Sequence, residues 1–375
     1  MPRNATKTVD LAAPPALSRR CWLTFLEECH SSEPPVNLGR TFSTTERNAE
    51  KKMFVMGMDI GYSNLKLAMG LSGGKPDVSL HPAGAAPADR LPESLGRQEN
   101  ALRVIVDGES WAVGVNPGKF SQWSRSLHGD YVQTPSYWAL FLASLLLSGQ
   151  DKVDVLVTGL PVSQWLDVAK REALALKLAG RHRITPKREA EVSTVRVVPQ
   201  PIGGYLDLLW SGQGGSVLEE GRVLVIDPGF FSVDWVLIEE GDIRRASSGT
   251  SLEAMSVLLD QASQLIADEH GGSVPVERIE EALWTGKGHV LLFGRSVEIQ
   301  PYLNQAAERV APVALEALRR SLRQESGSVD AVLLTGGGAA LYGPVANSLF
   351  PDCKLHVPDR SELANARGFY RYGAD

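Results

Sequence analysis

Apolar runs rich in valine, isoleucine and leucine alternate with turns bearing glycine and proline along this chain, and one sub-pattern occurs twice. From Met53 it reads strand, turn and strand, the second strand at Leu65-Lys-Leu-Ala-Met69; from Val223 it does so again, the second strand at Val233-Asp-Trp-Val-Leu-Ile238. After the first pair come a Pro/Gly-rich stretch over residues 73–96, short strands at 102–107 and 109–114, and a loop over 116–131. A buried helix at 136–148, a strand at 154–158, a helix at 163–178 with Ser163 as its N-cap, and further strands over 181–198 follow, before Gln200-Pro-Ile-Gly-Gly-Tyr205 opens another helix. After the second pair the pattern predicts a strand at 243–247, a turn at 248–250, and helices over 252–270, 276–285 and 296–325. A strand at 331–334 then runs into Thr335-Gly-Gly-Gly-Ala339 with a helix behind it, and a strand at 355–357 and a closing segment at 361–370 end the pattern. A strand-rich start and a helical remainder in each half predict two α/β domains around a cleft.

The two turns carry similar chemistry. Asp59-Ile-Gly-Tyr-Ser-Asn-Leu-Lys66 and Asp227-Pro-Gly-Phe-Phe-Ser-Val-Asp234 each place a glycine two positions after an aspartate and a charged residue seven after it. A glycine turn of the P-loop or dinucleotide type leads from strand to helix, whereas these lead from strand to strand and are therefore hairpins. Gly61 and Gly229 let backbone N–H groups approach an anion, and Ser63 and Ser232 add hydroxyl donors. Lys66 is placed to reach back to phosphates as a fixed positive charge, and Asp59 and Asp227 can each hold Mg²⁺ through water. Either turn alone reads equally well as an ordinary tight turn. Two with the same offsets point to hairpins that face each other and clamp a Mg-nucleotide tail. The glycines of Thr335-Gly-Gly-Gly-Ala339 let backbone pass close to a flat ligand such as adenine and ribose, although alone this is an ordinary strand-to-helix connection.

At 375 residues the chain exceeds the size at which a single core keeps growing, which also favours two domains. A net charge of −6 gives no overall field for nucleic acid, so no direct nucleic-acid binding is expected. The basic cluster Arg181-His-Arg183 with Lys187-Arg188 reads as a solvated loop, with Glu189 and Glu191 beside it. No apolar run approaches the roughly 20 residues of a membrane span, and no membrane association is expected. Cys21, Cys29 and Cys353 make neither a disulfide framework nor a metal cluster, which fits a reducing cytoplasm. Residues 1–52 lack sustained periodicity and are expected to be largely disordered, with a short helix around residues 21–29; Met53, Met56 and Met58 are each candidate initiators.

The succession of hairpin, hairpin and Gly-Gly-Gly loop over residues 53–372 resembles the superfamily of actin, sugar kinases and DnaK-type chaperones. Val157-Thr-Gly-Leu-Pro-Val-Ser-Gln164, Pro199-Gln-Pro-Ile-Gly-Gly204 and Leu363-Ala-Asn-Ala-Arg-Gly-Phe369 are similar to bacterial actin-like proteins of the ParM type, encoded largely on plasmids. The resemblance implies an α/β, two-domain actin-like fold of the duplicated ribonuclease H-like kind, with ATP and Mg²⁺ in the cleft between domains. Domain I would span 53–210, with 352–375 packing back on it, and domain II 211–351.

On that resemblance Asp59, Gly61, Ser63, Asn64 and Lys66 form the first phosphate motif, and Asp227, Gly229, Ser232 and Asp234 the second. Asp227 would orient the attacking water and, like Asp59, hold Mg²⁺ through its hydration shell. Gln164 is a second catalytic candidate for positioning that water, although it reads nearly as well as a solvent-facing residue at a helix start. Gly336, Gly337, Gly338 and Ala339 would line the adenosine pocket, with Gly249 a further candidate. The implied activity is slow, assembly-coupled ATP hydrolysis by a cytoplasmic protein that self-associates into filaments. It would serve plasmid segregation or intracellular positioning through a DNA-binding adaptor.

Pro228, Phe230 and Phe231 depart from the small residues usual in the second motif, which leaves slow hydrolysis, or binding without hydrolysis, open. A small-molecule kinase of the same fold is the main alternative; it needs an acceptor pocket and a base near the γ-phosphate, and no second acidic motif is assigned to that. A nucleotide-gated binding module without polymerisation is the other.

Overall fold

The computed structural model describes residues 52–92, 101–121, 129–323, 325 and 327–375. The expected disorder over 1–52 and the short helix around residues 21–29 fall, but for Lys52, outside the described residues.

Strands β1 (Phe54–Ile60), β2 (Asn64–Leu71), β3 (Asp77–Pro82), β4 (Gly84–Pro87), β5 (Leu102–Val106) and β6 (Glu109–Val115) precede helix α1 (Pro135–Ser148) and β7 (Lys152–Leu160). Helices α2 (Val162–Trp165) and α3 (Val168–Leu178), strands β8 (Gly180–Thr185) and β9 (Arg188–Pro199), and helices α4 (Gln200–Ser211) and α5 (Val217–Glu220) complete the first half. The second half comprises β10 (Arg222–Pro228), β11 (Val233–Glu239), β12 (Asp242–Ser251), α6 (Met255–His270), α7 (Val276–Trp284), β13 (His289–Leu292), β14 (Arg295–Glu298) and α8 (Gln300–Leu322). It ends with β15 (Ala331–Leu334), α9 (Ala339–Leu349), β16 (Lys354–His356) and α10 (Ala364–Ala374).

The halves repeat one topology. The first sheet runs β3-β2-β1-β7-β9-β8 and the second β12-β11-β10-β15-β16. In each, the hairpin is antiparallel and its first strand also pairs in parallel, β1 with β7 and β10 with β15. Central strands covered on both faces read as unbroken apolar runs rather than alternating ones, and all seven residues of β10 are buried. Helices α4 and α10 lie between the two sheets: α10 packs on β1 and β7, α4 on β10 and β11, and the two helices pack on each other. Their crossing needs glycine on both sides, because a Cβ on Gly368 would lie 1.8 Å from the carbonyl oxygen of Gly203.

Several elements differ from the pattern reading. The helix expected over 163–178 is two helices, because Arg171 donates to the carbonyl of Trp165 at 2.9 Å and Asp167, not Ser163, caps the second of them. The turn expected at 248–250 is strand: β12 continues to Ser251, with Thr250 opposite Asp234 and a bulge taking up the mismatch near Trp235. The helix expected from 296 begins at Gln300, since 295–298 form β14 against β13. The Pro/Gly-rich stretch contains β3 and β4, whose C-terminal residues are Pro82 and Pro87. No helix among the described residues is long and apolar enough to cross a membrane.

Candidate functional site

The hairpin turns of the two sheets face one cleft of about 710 Å³. In the first hairpin the register sets Asp59 directly opposite Lys66, so their side chains share a face, and Lys66 Nζ lies 2.9 Å from Asp59 Oδ2. The N–H of Gly61 closes the turn on the carbonyl of Asn64 at 3.0 Å. The Asn64 amide donates to Ser63 Oγ at 2.9 Å, and the Ser63 hydroxyl donates across the cleft to Glu280 of α7. In the second hairpin Asp227 stands opposite Asp234, and the N–H of Gly229 donates to the carbonyl of Ser232 at 2.8 Å.

Two residues of the α4 and α10 pair orient the aspartates. Gln200 Nε2 donates to Asp59 Oδ1 at 3.2 Å, and Asn365 Nδ2 donates to Asp227 Oδ2 at 2.7 Å. The glycine loop after β15 lies against the second hairpin: Gly338 N–H donates to the carbonyl of Pro228 at 2.9 Å. Gly336 has φ 77°, and a Cβ there would stand 2.0 Å from Asp227 Oδ1, so backbone conformation and space both exclude a side chain. The far end of the cleft is walled by Met255, Leu259, Leu341 and Val345, with Asn304 and Glu308 of α8 at its edge. That is the mixture of apolar wall and few polar groups that suits a flat organic ligand.

The electrostatics favour a cation at the hairpins. Burial, and next the charge of Asp59, push the Asp227 carboxyl up to about 7, against the opposing hydrogen bond from Asn365 and charge of Lys66. For Lys66, burial works against the ammonium, but Asp59 first, then Asp227 and Glu362, outweigh it and hold the group above the ordinary lysine range. A divalent ion relieves the cost of ionising the buried Asp227 carboxyl beside the charge of Asp59, and a pair of hard oxygen donors without further protein ligands suits Mg²⁺, which keeps several waters. Among the described residues no group of three or more His, Cys, Asp or Glu could form a cage that replaces those waters. Asp59 and Asp227 therefore fit Mg²⁺.

Asp59, Gly61, Ser63, Asn64, Lys66, Gln164, Asp227, Gly229, Ser232, Gly336, Gly337 and Gly338 all line the cleft. Three expected residues do not. Asp234 is buried, and its carboxylate is occupied by Ser232 Oγ and Thr250 Oγ1, both at 2.6 Å, and by the N–H of Val162 at 2.7 Å. Gly249 faces the indole of Trp235 inside the second domain. Ala339 turns into the core of that domain, and Ala340 borders the cleft in its place. Gln164 borders the cleft from α2, with its Nε2 donating to the carbonyl of Gly129 at 2.8 Å. The basic cluster lies on the β8–β9 hairpin, where Arg181 pairs with Glu191 at 3.3 Å and His182 is buried against the rings of Trp138 and Phe141.

Sequence reasoning missed Gln200 and Asn365 as partners of the aspartates, although both lie inside the strings that carried the family resemblance. It also missed a ring stack: Tyr62 of the first turn lies 4.2 Å from Tyr131 and 4.5 Å from Phe231 of the second turn, centroid to centroid. Phe230 borders the cleft as well and packs on the core of the second domain.

Known proteins share this fold. Residues 57–203 match the family of actin-like proteins, N-terminal domain, and residues 225–345 match the archaeal actin homologue MreB-like C-terminal family. The chain has the actin-like ATPase fold, each half matching an actin-like family model. Archaeal actin homologues from Thermoplasma volcanium and Thermoplasma acidophilum are 25% and 26% identical to it over 345 and 353 residues, covering 84% of this chain and 98% of each relative. The crystal structure of an archaeal actin homolog in complex with ADP superposes with a TM-score of 0.67 at 22% identity, covering 85% of this chain and 98% of that one. A 15-stranded ParM filament from Clostridium botulinum matches with a TM-score of 0.65 at 15% identity, covering 86% of this chain and 99% of its own.

Proposed function

We propose that this protein is an ATPase that binds Mg-ATP between its two domains and assembles into nucleotide-dependent filaments. The observation that carries the reading is the pair of facing hairpins, with Lys66 bound to Asp59 on one side and Asp227 held by Asn365 on the other. The backbone amides of both turns and the Lys66 ammonium would bind the phosphate tail, and the glycine loop would admit adenosine beside α9. Asp59 and Asp227 would hold Mg²⁺ through water, and the ion would supply positive charge against the phosphate tail. Asp227, with a carboxyl that titrates near neutrality, would orient the attacking water and take part of its proton. Gln164 is the second candidate for positioning that water. Closure over the γ-phosphate would favour one domain arrangement and hydrolysis would release it.

Head-to-tail contacts between copies that do not close on themselves produce a filament. The ADP bound by one archaeal relative and the filament built by a ParM neighbour support nucleotide binding and self-association here. A role in positioning plasmid DNA through an adaptor in the cytoplasm extends the ParM likeness. The test is phosphate release from Mg-ATP against protein concentration, with no acceptor present. A threshold above which specific activity climbs supports coupled assembly; release strictly proportional to concentration removes the coupling; no release at any concentration removes the ATPase. Asp227→Ala should abolish release with the fold intact, and unchanged turnover would take Asp227 out of the mechanism.

A further inference from the structure

Helix α2 is four residues long and carries Gln164 into the cleft, yet nothing within its own segment accepts from its first amides. A helix this short cannot hold itself by internal hydrogen bonds, and its N-cap is Pro161, which offers no side-chain acceptor. Both leading N–H groups are taken by the other domain instead. Val162 N–H donates to Asp234 Oδ1 at 2.7 Å, and Ser163 N–H donates to Thr250 Oγ1 at 3.0 Å. Thr250 Oγ1 in turn donates to Asp234 Oδ1 at 2.6 Å, so the two acceptors form one unit. At the other end of the helix, the guanidinium of Arg245, also on β12, lies 5.3 Å from the centroid of the buried Trp165 ring. Gln164, whose side chain donates to the Gly129 carbonyl, thus sits on a backbone segment anchored from β11 and β12.

We propose that Asp234 and Thr250 are positioning residues that cap α2 from the opposite domain and so set where Gln164 sits according to the state of the second hairpin. The link to that state is Ser232, which lines the cleft and donates its hydroxyl to Asp234 Oδ2 at 2.6 Å. A hydroxyl has one proton to give, so Ser232 serves either Asp234 or an oxygen of the bound tail. Binding at the hairpin therefore changes the load on the carboxylate that caps α2. This deepens the ATPase reading and rests on it for the role of Gln164, whereas the cap itself does not.

The experiment uses the full chain and the variants Thr250→Val, which removes the hydroxyl, and Thr250→Ser, which keeps it. Amide hydrogen exchange of residues 162–164 is measured alongside kcat and KM for Mg-ATP and the ATP dissociation constant. Support is faster exchange in Thr250→Val with kcat down about tenfold, ATP affinity unchanged, and both exchange and kcat restored in Thr250→Ser. Unchanged exchange in Thr250→Val overturns the cap, and faster exchange with unchanged kcat overturns the positioning role. Loss of affinity in step with kcat also overturns it, since that is the mark of a residue that holds the ligand. A wild-type chain that releases no phosphate counts against the ATPase reading alone, and the exchange measurement then decides the cap by itself.

Discussion

Lys66 lies across the first hairpin from Asp59, Nζ to Oδ2 at 2.9 Å, with the carboxylate almost wholly buried and the ammonium little exposed. The equivalent place in the second hairpin is filled by Asp234, which turns to α2 and caps it. The duplicated hairpins are therefore alike in backbone but carry opposite charges at this one position, and only the first supplies a cation there.

Removing that cation should leave Asp59 buried and uncompensated. Lys66→Met is expected to cost about 3 kcal/mol in the nucleotide-free protein, read from urea unfolding at neutral pH. Pairing it with Asp59→Asn should recover most of the loss. A single variant that unfolds at the wild-type midpoint would show that the ion pair contributes nothing net.

Asp227 makes stability depend on pH in a definite direction. Its folded carboxyl titrates at about 7, above its unfolded value, so between the two the native state keeps a proton that the unfolded chain has lost. The contribution is fully present below the unfolded value and is lost as pH rises through the folded one, a cost on the order of 4 kcal/mol by pH 8. Asp227→Asn keeps an acceptor for Asn365 and removes the charge. It should raise the thermal midpoint at pH 8 and leave it unchanged at pH 4; an equal rise at both would mean that charge is not the cause.

The Tyr62 and Phe231 rings join the two hairpin turns directly, at 4.5 Å between centroids. Such a contact is worth roughly 1 kcal/mol beyond burial. Phe231→Ala is expected to speed dissociation of ADP about two- to tenfold, followed by stopped flow with a fluorescent analogue. An unaltered rate would show that the stack does not govern exit.

Gly336 and Gly337 are neighbours with opposite tolerance. Alanine at 336 meets both a φ of 77° and the Asp227 carboxylate, whereas a Cβ at 337 meets nothing within 4 Å. Gly336→Ala should lose more than about 2 kcal/mol and nucleotide binding with it, while Gly337→Ala stays within about 0.5 kcal/mol of wild type. Equal stability of the two in chemical denaturation would contradict the packing of this loop.

The two-domain actin-like fold was legible because it rests on local signals: unbroken apolar strands and glycine turns at matching offsets after Asp59 and Asp227. The β13–β14 hairpin was not, since four-residue strands carry too little alternation to compete with the helical pattern that begins beside them. Ser248-Gly-Thr250 has the composition of a turn, and pairing with β11 overrides it. The family resemblance, resting on the hairpin and glycine-loop motifs, brought most of the cleft residues together but could not tell which way Asp234 and Ala339 face, because partners distant in sequence decide that. Gln200 and Asn365 were visible as letters in a motif; their bonds to the aspartates exist only once α4 and α10 cross.

That crossing has a mechanical meaning. At Gly203 and Gly368 two backbones touch with no side chain between them, α4 resting on one sheet and α10 on the other, and Asn365 reaches Asp227 from within a turn of the contact. A joint without slack behaves as a fulcrum. Were the halves to swing about it, points near it would travel least, and Asp59 and Asp227, bonded to Gln200 and Asn365 of the crossing pair, are tied to it directly. A small change at the crossing would then be a large one at the ends of the two sheets.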